Sequence, residues 1–210
     1  MPKSKKILTT KDVPPQFLGA AFMVGHVPQM ALQSDPRISY SLYVPPEPYK
    51  SLAANPGDSK SKKLPLLVNI HGTRRNLSAI YGEFKTFADS TPCAVLQPLF
   101  PAGLEGPNDL DSYKKLRTKN VCSDLALLSM LDEVATRWPH IDTDKIFLMG
   151  FSGGGQFAQR FLYIYPDRLF AVSIGAPGKV TLLDELQDWP KGIKNVQHVF
   201  GRPIDLSLIK

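Results

Sequence analysis

Apolar positions along this chain switch repeatedly between a two-residue and a 3.6-residue period, and the switches mark out its elements. Ile38-Ser-Tyr-Ser-Leu-Tyr-Val44 alternates and stops at Pro45-Pro46, as a half-buried strand does. Leu64 to Ile70 is almost continuously apolar, which suits a strand covered on both faces. Cys93 to Leu96, Ile146 to Met149 and Leu169 to Ile174 are shorter runs of the same kind. Between them the spacing turns helical. Leu77 to Asp89 puts Ile80, Phe84 and Phe87 on one side, and Leu127, Met130, Leu131, Val134 and Trp138 form a stripe that Ser123 can cap and Pro139 closes. Phe17 to Val24 reads as a first strand, and the Pro-, Ser- and Lys-rich stretch 45–63 as a surface loop. Strands alternating with helices predict an α/β fold, a mostly parallel sheet with flanking helices. The chain reads as a single domain over 1–210, with residues 1–12 expected to be mobile.

One junction carries chemistry. The apolar run Ile146-Phe-Leu-Met149 passes without a linker into Gly150-Phe-Ser152-Gly-Gly154, and Phe157, Phe161 and Tyr165 then recur at helical spacing. Strand, sharp turn with a central serine, and helix are what the G-x-S-x-G nucleophile elbow requires. Such a turn holds the serine in a strained conformation, and the flanking glycines let strand and helix cross closely. Ser152 is therefore the candidate nucleophile, at the start of a helix whose free N–H groups favour negative charge. Acyl transfer passes through a tetrahedral oxyanion, stabilised by two fixed N–H donors. Gly153, following the nucleophile, supplies one. The other is expected from the loop after the Leu64–Ile70 strand, His71-Gly72-Thr73, through the Thr73 N–H. His71 is then a brace for that loop and not a base. Arg74 and Arg75 beside it are exposed loop charges, with a substrate carboxylate as the alternative ligand.

These features together resemble the α/β-hydrolase superfamily, and more narrowly its esterase and depolymerase-like branch. In that branch an Ile-Asp-x-Asp-Lys-Ile turn enters the elbow strand and a Tyr-Pro-Asp-Arg turn leaves the elbow helix. This chain has Ile141-Asp-Thr-Asp-Lys-Ile146 and Tyr165-Pro-Asp-Arg168. The resemblance spans about residues 36 to 178. It implies a serine esterase or thioesterase acting on a small acyl substrate, in secondary metabolism, with no cofactor and no metal.

The superfamily orders its triad as serine, acid, histidine. After Ser152 the sole histidine is His198, and the acid beyond it is Asp205, a reversed order. His198 is the candidate base and Asp205 its candidate orienter, while Asp184 and Asp188 read as solvated loop acids. The resemblance implies a chain lacking the last two strands and last helix, hence C-terminally truncated. A serine without its base retains only residual catalysis. An inactive hydrolase-fold binding protein, or a truncated product, is thus the competing reading. The uncovered edge of the Leu169–Ile174 strand invites self-association.

Composition narrows the rest. The chain of 210 residues is 43% hydrophobic and 21% charged, ordinary for a globular domain. Its net charge of +6 comes in groups such as Lys60, Lys62, Lys63 and Lys114, Lys115, Arg117, Lys119. These lack the interleaved aromatics of a nucleic-acid module and read as solvated surface. Cys93 and Cys122 form no disulfide framework, which points to a reducing, cytoplasmic compartment, with a peroxisomal address signal as the alternative. The basic start is followed by no apolar signal region, and the most apolar N-terminal stretch, Phe17 to Leu32, is too short to span a membrane.

Overall fold

A computed structural model describes residues 7–55 and 62–209. Six strands form one sheet: β1 (Gly25–Ala31), β2 (Ser39–Val44), β3 (Leu66–Ile70), β4 (Ala94–Leu99), β5 (Ile146–Phe151) and β6 (Leu169–Gly175). Their spatial order is β1-β2-β4-β3-β5-β6. β1 and β2 run antiparallel to their neighbours, whereas β4, β3, β5 and β6 are mutually parallel. The helices are α1 (Pro46–Ala54), α2 (Glu83–Ser90), α3 (Ser123–Arg137), α4 (Gly153–Ile164) and α5 (Val196–Phe200). Short 3-10 turns lie between them, notably Ser112–Lys115. No helix among the described residues is long and apolar enough to cross a membrane.

The larger core lies on the face covered by α3 and α4, where Leu66, Val68, Ile146 and Leu148 meet Leu127, Leu131, Phe157 and Phe161. The other face carries α2 and a smaller cluster around Tyr43, Ile80, Ala88 and Val95. Beside α2, Phe84, Phe87, Phe147, Met149, Ala171 and Ser173 line an open apolar groove of about 710 Å³. β6 pairs with β5 and is an edge of the sheet among the described residues. Phe170, exposed at 71% on that edge, packs its ring 5.0 Å from that of Phe147.

Several local expectations are corrected. The first strand is Gly25–Ala31, not Phe17 to Val24. Phe17 and Phe22 are exposed, and the strand runs through Pro28, which an edge strand tolerates at the irregularity between Val27 and Met30. Within the expected loop 45–63 lies α1, since Pro46 and Pro48 occupy its first turn, where a missing N–H costs nothing; residues 56–61 lie outside the described residues. Gly82 splits the expected helix into the turn Ser78–Tyr81 and α2. Ser123 does not cap α3; its hydroxyl donates to the carbonyls of Tyr113 and Leu116. Of the N-terminal stretch expected to be mobile, residues 1–6 lie outside the described residues. Thr10 is buried: its N–H donates to Arg137 O at 2.9 Å and its hydroxyl pairs with that of Tyr49 at 2.7 Å.

The close crossing at the end of β5 tests the fold. A methyl on Gly154 would lie 2.1 Å from Ile70 O, and one on Gly150 2.2 Å from Gly154 O. Gly154→Ala should therefore cost about 3 kcal/mol or more, read from urea unfolding, because only backbone can move aside. Gly72→Ala places its methyl 3.5 Å from Phe151 O, an ordinary contact, and should cost much less. Equal midpoints for the two variants would contradict this account of the crossing.

Candidate active site

β5 ends at Phe151 and α4 begins at Gly153, leaving Ser152 as the single residue of the turn. Its φ of 56° and ψ of −115° lie where L-residues are strained. The turn persists because its surroundings hold it. Ser152 N–H donates to Gly175 O at the end of β6 (2.9 Å), and Gln156 N–H donates back to Ser152 O (3.1 Å). The serine is half-buried, and among the described residues its hydroxyl has no hydrogen-bond partner. It stands at the positive end of a 12-residue helix, which favours an anion there.

The loop after β3 comes to the same point. A methyl on Gly72 would lie 3.8 Å from Ser152 Cβ, and one on Gly153 would meet Tyr113 Oη (2.5 Å), Lys114 Cε (2.8 Å) and Thr73 Oγ1 (3.0 Å). Thr73, Tyr113 and Lys114 therefore close around the backbone of Gly153. Neither the Thr73 nor the Gly153 N–H finds an acceptor among the described residues. The peptide carrying the Thr73 N–H is fixed through its oxygen: Gly72 O accepts from Arg75 N–H (3.0 Å) and lies 2.9 Å from His71 Nδ1. A trans peptide held by its oxygen sends its N–H the opposite way.

His71 is 2% exposed, and both its ring nitrogens are taken by main chain. Nε2 accepts from Phe100 N–H at 3.0 Å, which leaves Nδ1 to donate to Gly72 O. Burial pushes its pKa down to about 4, the bond to Gly72 O opposing only in part. It is a neutral brace across the ends of β3 and β4. Tyr113, fully buried, donates to His71 O at 3.1 Å and stacks on Phe100 at 5.5 Å.

No family model matches this sequence, and no curated protein matches it. Solved structures do. Over 97% of this chain and 66% of that one, it superposes on LpqC, a poly(3-hydroxybutyrate) depolymerase from Bordetella parapertussis, with TM-score 0.64 and 22% identity. Poly(aspartic acid) hydrolase-1 from Sphingomonas sp. KT-1 gives TM-score 0.59 and 21% identity over 82% of this chain and 61% of that one. FphF, a fluorophosphonate-binding serine hydrolase of Staphylococcus aureus, gives 0.55 and 16% over 81% and 64%. This is the α/β-hydrolase fold. The chain spans under two thirds of the length of each of these three neighbours.

Within the α/β-hydrolase fold the described residues bring Ser152, Gly153 and Thr73 together but leave His198 and Asp205 elsewhere. α5 buries Val196 and Phe200 and exposes His198. Phe200 packs under Arg117 and against Trp189, and Arg202 just beyond pairs with Asp167 (2.9 Å) and covers the Tyr165 ring. Of these, Tyr165 and Asp167 lie just past the end of α4 remote from Ser152, about 18 Å along its axis. Asp205 accepts from the N–H and hydroxyl of Ser207, which hold its carboxyl below the usual range, and no hydrogen bond joins it to His198. Its role is to cap its own turn. Asp184 likewise accepts from Leu186 N–H and Gln187 Nε2. His26 lies between Tyr43 and Tyr81, and His140 beside Tyr49, both away from the elbow.

The basic groups also divide differently from the expectation. Lys114 is buried and ion-paired with Asp111, and Arg117 pairs with the fully buried Asp124 at 2.8 Å. Arg75 is bonded to carbonyls and is not free for a substrate, whereas Arg74 is exposed. Sequence reading missed Tyr113, Phe100 and Arg160, whose guanidinium donates to Lys114 O (2.6 Å) and Thr181 Oγ1 (2.9 Å). The available signal was aromatic: Phe100 and Tyr113 are large apolar residues inside a stretch too long for an unstructured loop.

The depressed pKa of His71 makes a pH prediction. The neutral ring stabilises the fold fully above its unfolded value near 6.5, and that stabilisation is lost as pH falls toward about 4. The difference amounts to about 3 kcal/mol. Relative to His71→Gln, the wild-type chain should lose about that much stability between pH 7 and pH 4, read from urea midpoints. Parallel pH profiles would show that His71 is not buried neutral.

Proposed function

We propose that this protein is a serine hydrolase of the esterase or thioesterase type, acting on a small acyl substrate. The observation that supports it best is the convergence of a strained, partnerless Ser152 hydroxyl with two unengaged N–H groups, those of Gly153 and Thr73. In this reading Ser152 Oγ attacks the acyl carbonyl carbon. The carbonyl oxygen, now an oxyanion, is held by the two N–H donors. The C–O or C–S bond to the leaving group breaks, and water then hydrolyses the Ser152 ester to release the acid. The group that takes the serine proton is not among those placed at the hydroxyl by the described residues. The neighbours named as a poly(3-hydroxybutyrate) depolymerase, a poly(aspartic acid) hydrolase and a fluorophosphonate-binding serine hydrolase lend the reaction class, not a substrate.

One observation favours a second reading, a ligand-binding protein without turnover: His71 is committed to main chain, and His198 is on the exposed side of α5 with no hydrogen bond to Ser152 among the described residues. Labelling separates the two. Ser152 should react covalently with a fluorophosphonate probe, the Ser152→Ala variant should not, and short-chain p-nitrophenyl ester hydrolysis should fall with it. Equal labelling of both proteins would remove Ser152 as the nucleophile. No labelling of either would favour the binding protein.

The same reading includes self-association through β6, whose residues 169–175 carry no charge to discourage pairing. Phe170→Lys, at an exposed site, should lower the sedimentation coefficient of the wild-type assembly without lowering its melting temperature. A wild-type chain that sediments as a monomer at high concentration would end this part of the proposal.

A further inference from the structure

Arg75 is an arginine whose whole guanidinium is committed to main chain. Nη1 donates to Thr73 O (2.5 Å), Nε to Phe100 O (3.1 Å) and Nη2 to Leu110 O (3.0 Å), and the group lies 5.0 Å over the Tyr113 ring. It forms no ion pair among the described residues. The three carbonyls belong to three separate segments: the loop after β3, the end of β4, and the approach to the turn Ser112–Lys115. Its backbone is strained as well, with φ of 54°, a conformation a non-glycine residue keeps only when its surroundings over-determine it. Its own N–H is one of the two groups fixing Gly72 O, and so the plane of the peptide that carries the Thr73 N–H.

We propose that Arg75 is a positioning residue for the oxyanion pocket, clamping the Gly72–Thr73 peptide so that the Thr73 N–H is presented beside Ser152. The inference rests on the hydrolase reading above and assigns Arg75 no contact with substrate. The geometry explains the choice of residue. Only a planar fork with several donors can bind three carbonyls arriving from different directions and keep a ring face against Tyr113; a lysine ammonium offers a point charge. Tyr113 completes the arrangement from below, because it donates to His71 O while its oxygen packs against Gly153. The two donor-bearing segments are thereby held at one spacing by a single arginine–tyrosine stack. Without the fork, Thr73 O and Phe100 O lose their partner, and the loop gains freedom to rotate the Thr73 N–H away.

The test compares wild type with Arg75→Lys and Arg75→Gln by two measurements. The first is the concentration dependence of Ser152 labelling by a fluorophosphonate. Its maximal rate should fall about tenfold or more, with the half-saturating concentration unchanged, since an oxyanion donor acts in the transition state. The second is amide hydrogen exchange. The amide of residue 75, bonded to Gly72 O, should exchange about tenfold faster in the variants while β3 and α4 keep wild-type protection, as expected for a local opening. Wild-type labelling rates in the variants, or unchanged exchange at residue 75, would overturn the clamp. Global unfolding of both variants would also overturn it, making Arg75 a residue of the fold and not of the pocket. Failure of wild-type Ser152 to label would count against the hydrolase reading alone, and the exchange measurement would still decide the role of Arg75.

Discussion

The approach of α4 to the ends of β3, β5 and β6 governs the structure around Ser152. Three strands deliver backbone carbonyls, Ile70 O, Gly150 O and Gly175 O, within 2.1 to 3.3 Å of where methyl groups on Gly154 and Gly155 would sit. No side chain can occupy that space. The helix can start there only by leaving the strand through one residue in a left-handed conformation, and that residue is Ser152. The strain at the serine and the absence of side chains at the glycines are two sides of one steric constraint. It also exposes the hydroxyl, because a residue forced to positive φ at the tip of a sheet points out of the packed layer.

Around this crossing the polar groups are committed to structure. Lys114 reaches Asp111, Arg160 reaches Lys114 O, and Asp124 takes both Arg117 and the hydroxyl of Tyr165 at 2.7 Å. Burial alone pushes the pKa of Arg160 down to about 10, because no carboxylate bonds to it. A buried cation with only neutral acceptors is costly, and it persists because it ties the second turn of α4 to the segment that carries Tyr113. The elbow is thus pinned from both sides, by carbonyls at its glycines and by side chains at its flank. Among the described residues the serine hydroxyl and the Gly153 and Thr73 N–H groups are left unengaged, as the proposed action on an incoming carbonyl needs.

What the sequence made legible was local. Strand, glycine turn and helix lie within twenty residues, so their periods and the glycine spacing are read directly; Thr73, far back in the chain, was reached only through the strand-end loop that the elbow motif requires. Misplacements came from proline read as a breaker. Pro28 lies inside edge strand β1, and Pro46 and Pro48 start α1. In each case the missing N–H falls where no ladder or helix bond was needed. Illegible were contacts between residues far apart in the chain. Nothing near Tyr113 announces that its hydroxyl will reach His71 O across 42 positions, or that a lysine in a basic run will be buried beside Gly153. His198 and Asp205 were nominated because they follow Ser152, and order along the chain carries no information about which side chains reach its hydroxyl.

In the proposed reading the two halves of the site differ in how they are built. The proposed nucleophile and oxyanion donors rest on backbone: a forced φ, the start of a helix, and a peptide plane held by its oxygen. The first two follow from the crossing of the sheet and α4. A base is a side chain that must be carried to the hydroxyl from another segment, and among the described residues none of the four histidines is hydrogen-bonded to it. His71 is fixed between two main-chain groups, His26 and His140 lie against tyrosines, and His198 is on the exposed side of a five-residue helix. His71, the one histidine next to the loop at Ser152, is also the one whose burial most strongly opposes its taking a proton. Moving it to the hydroxyl would release Phe100 N–H and Gly72 O, and with them the orientation of the Thr73 N–H. In the proposed reading one imidazole cannot both hold the Thr73 peptide and accept the serine proton, so the two tasks would require separate groups.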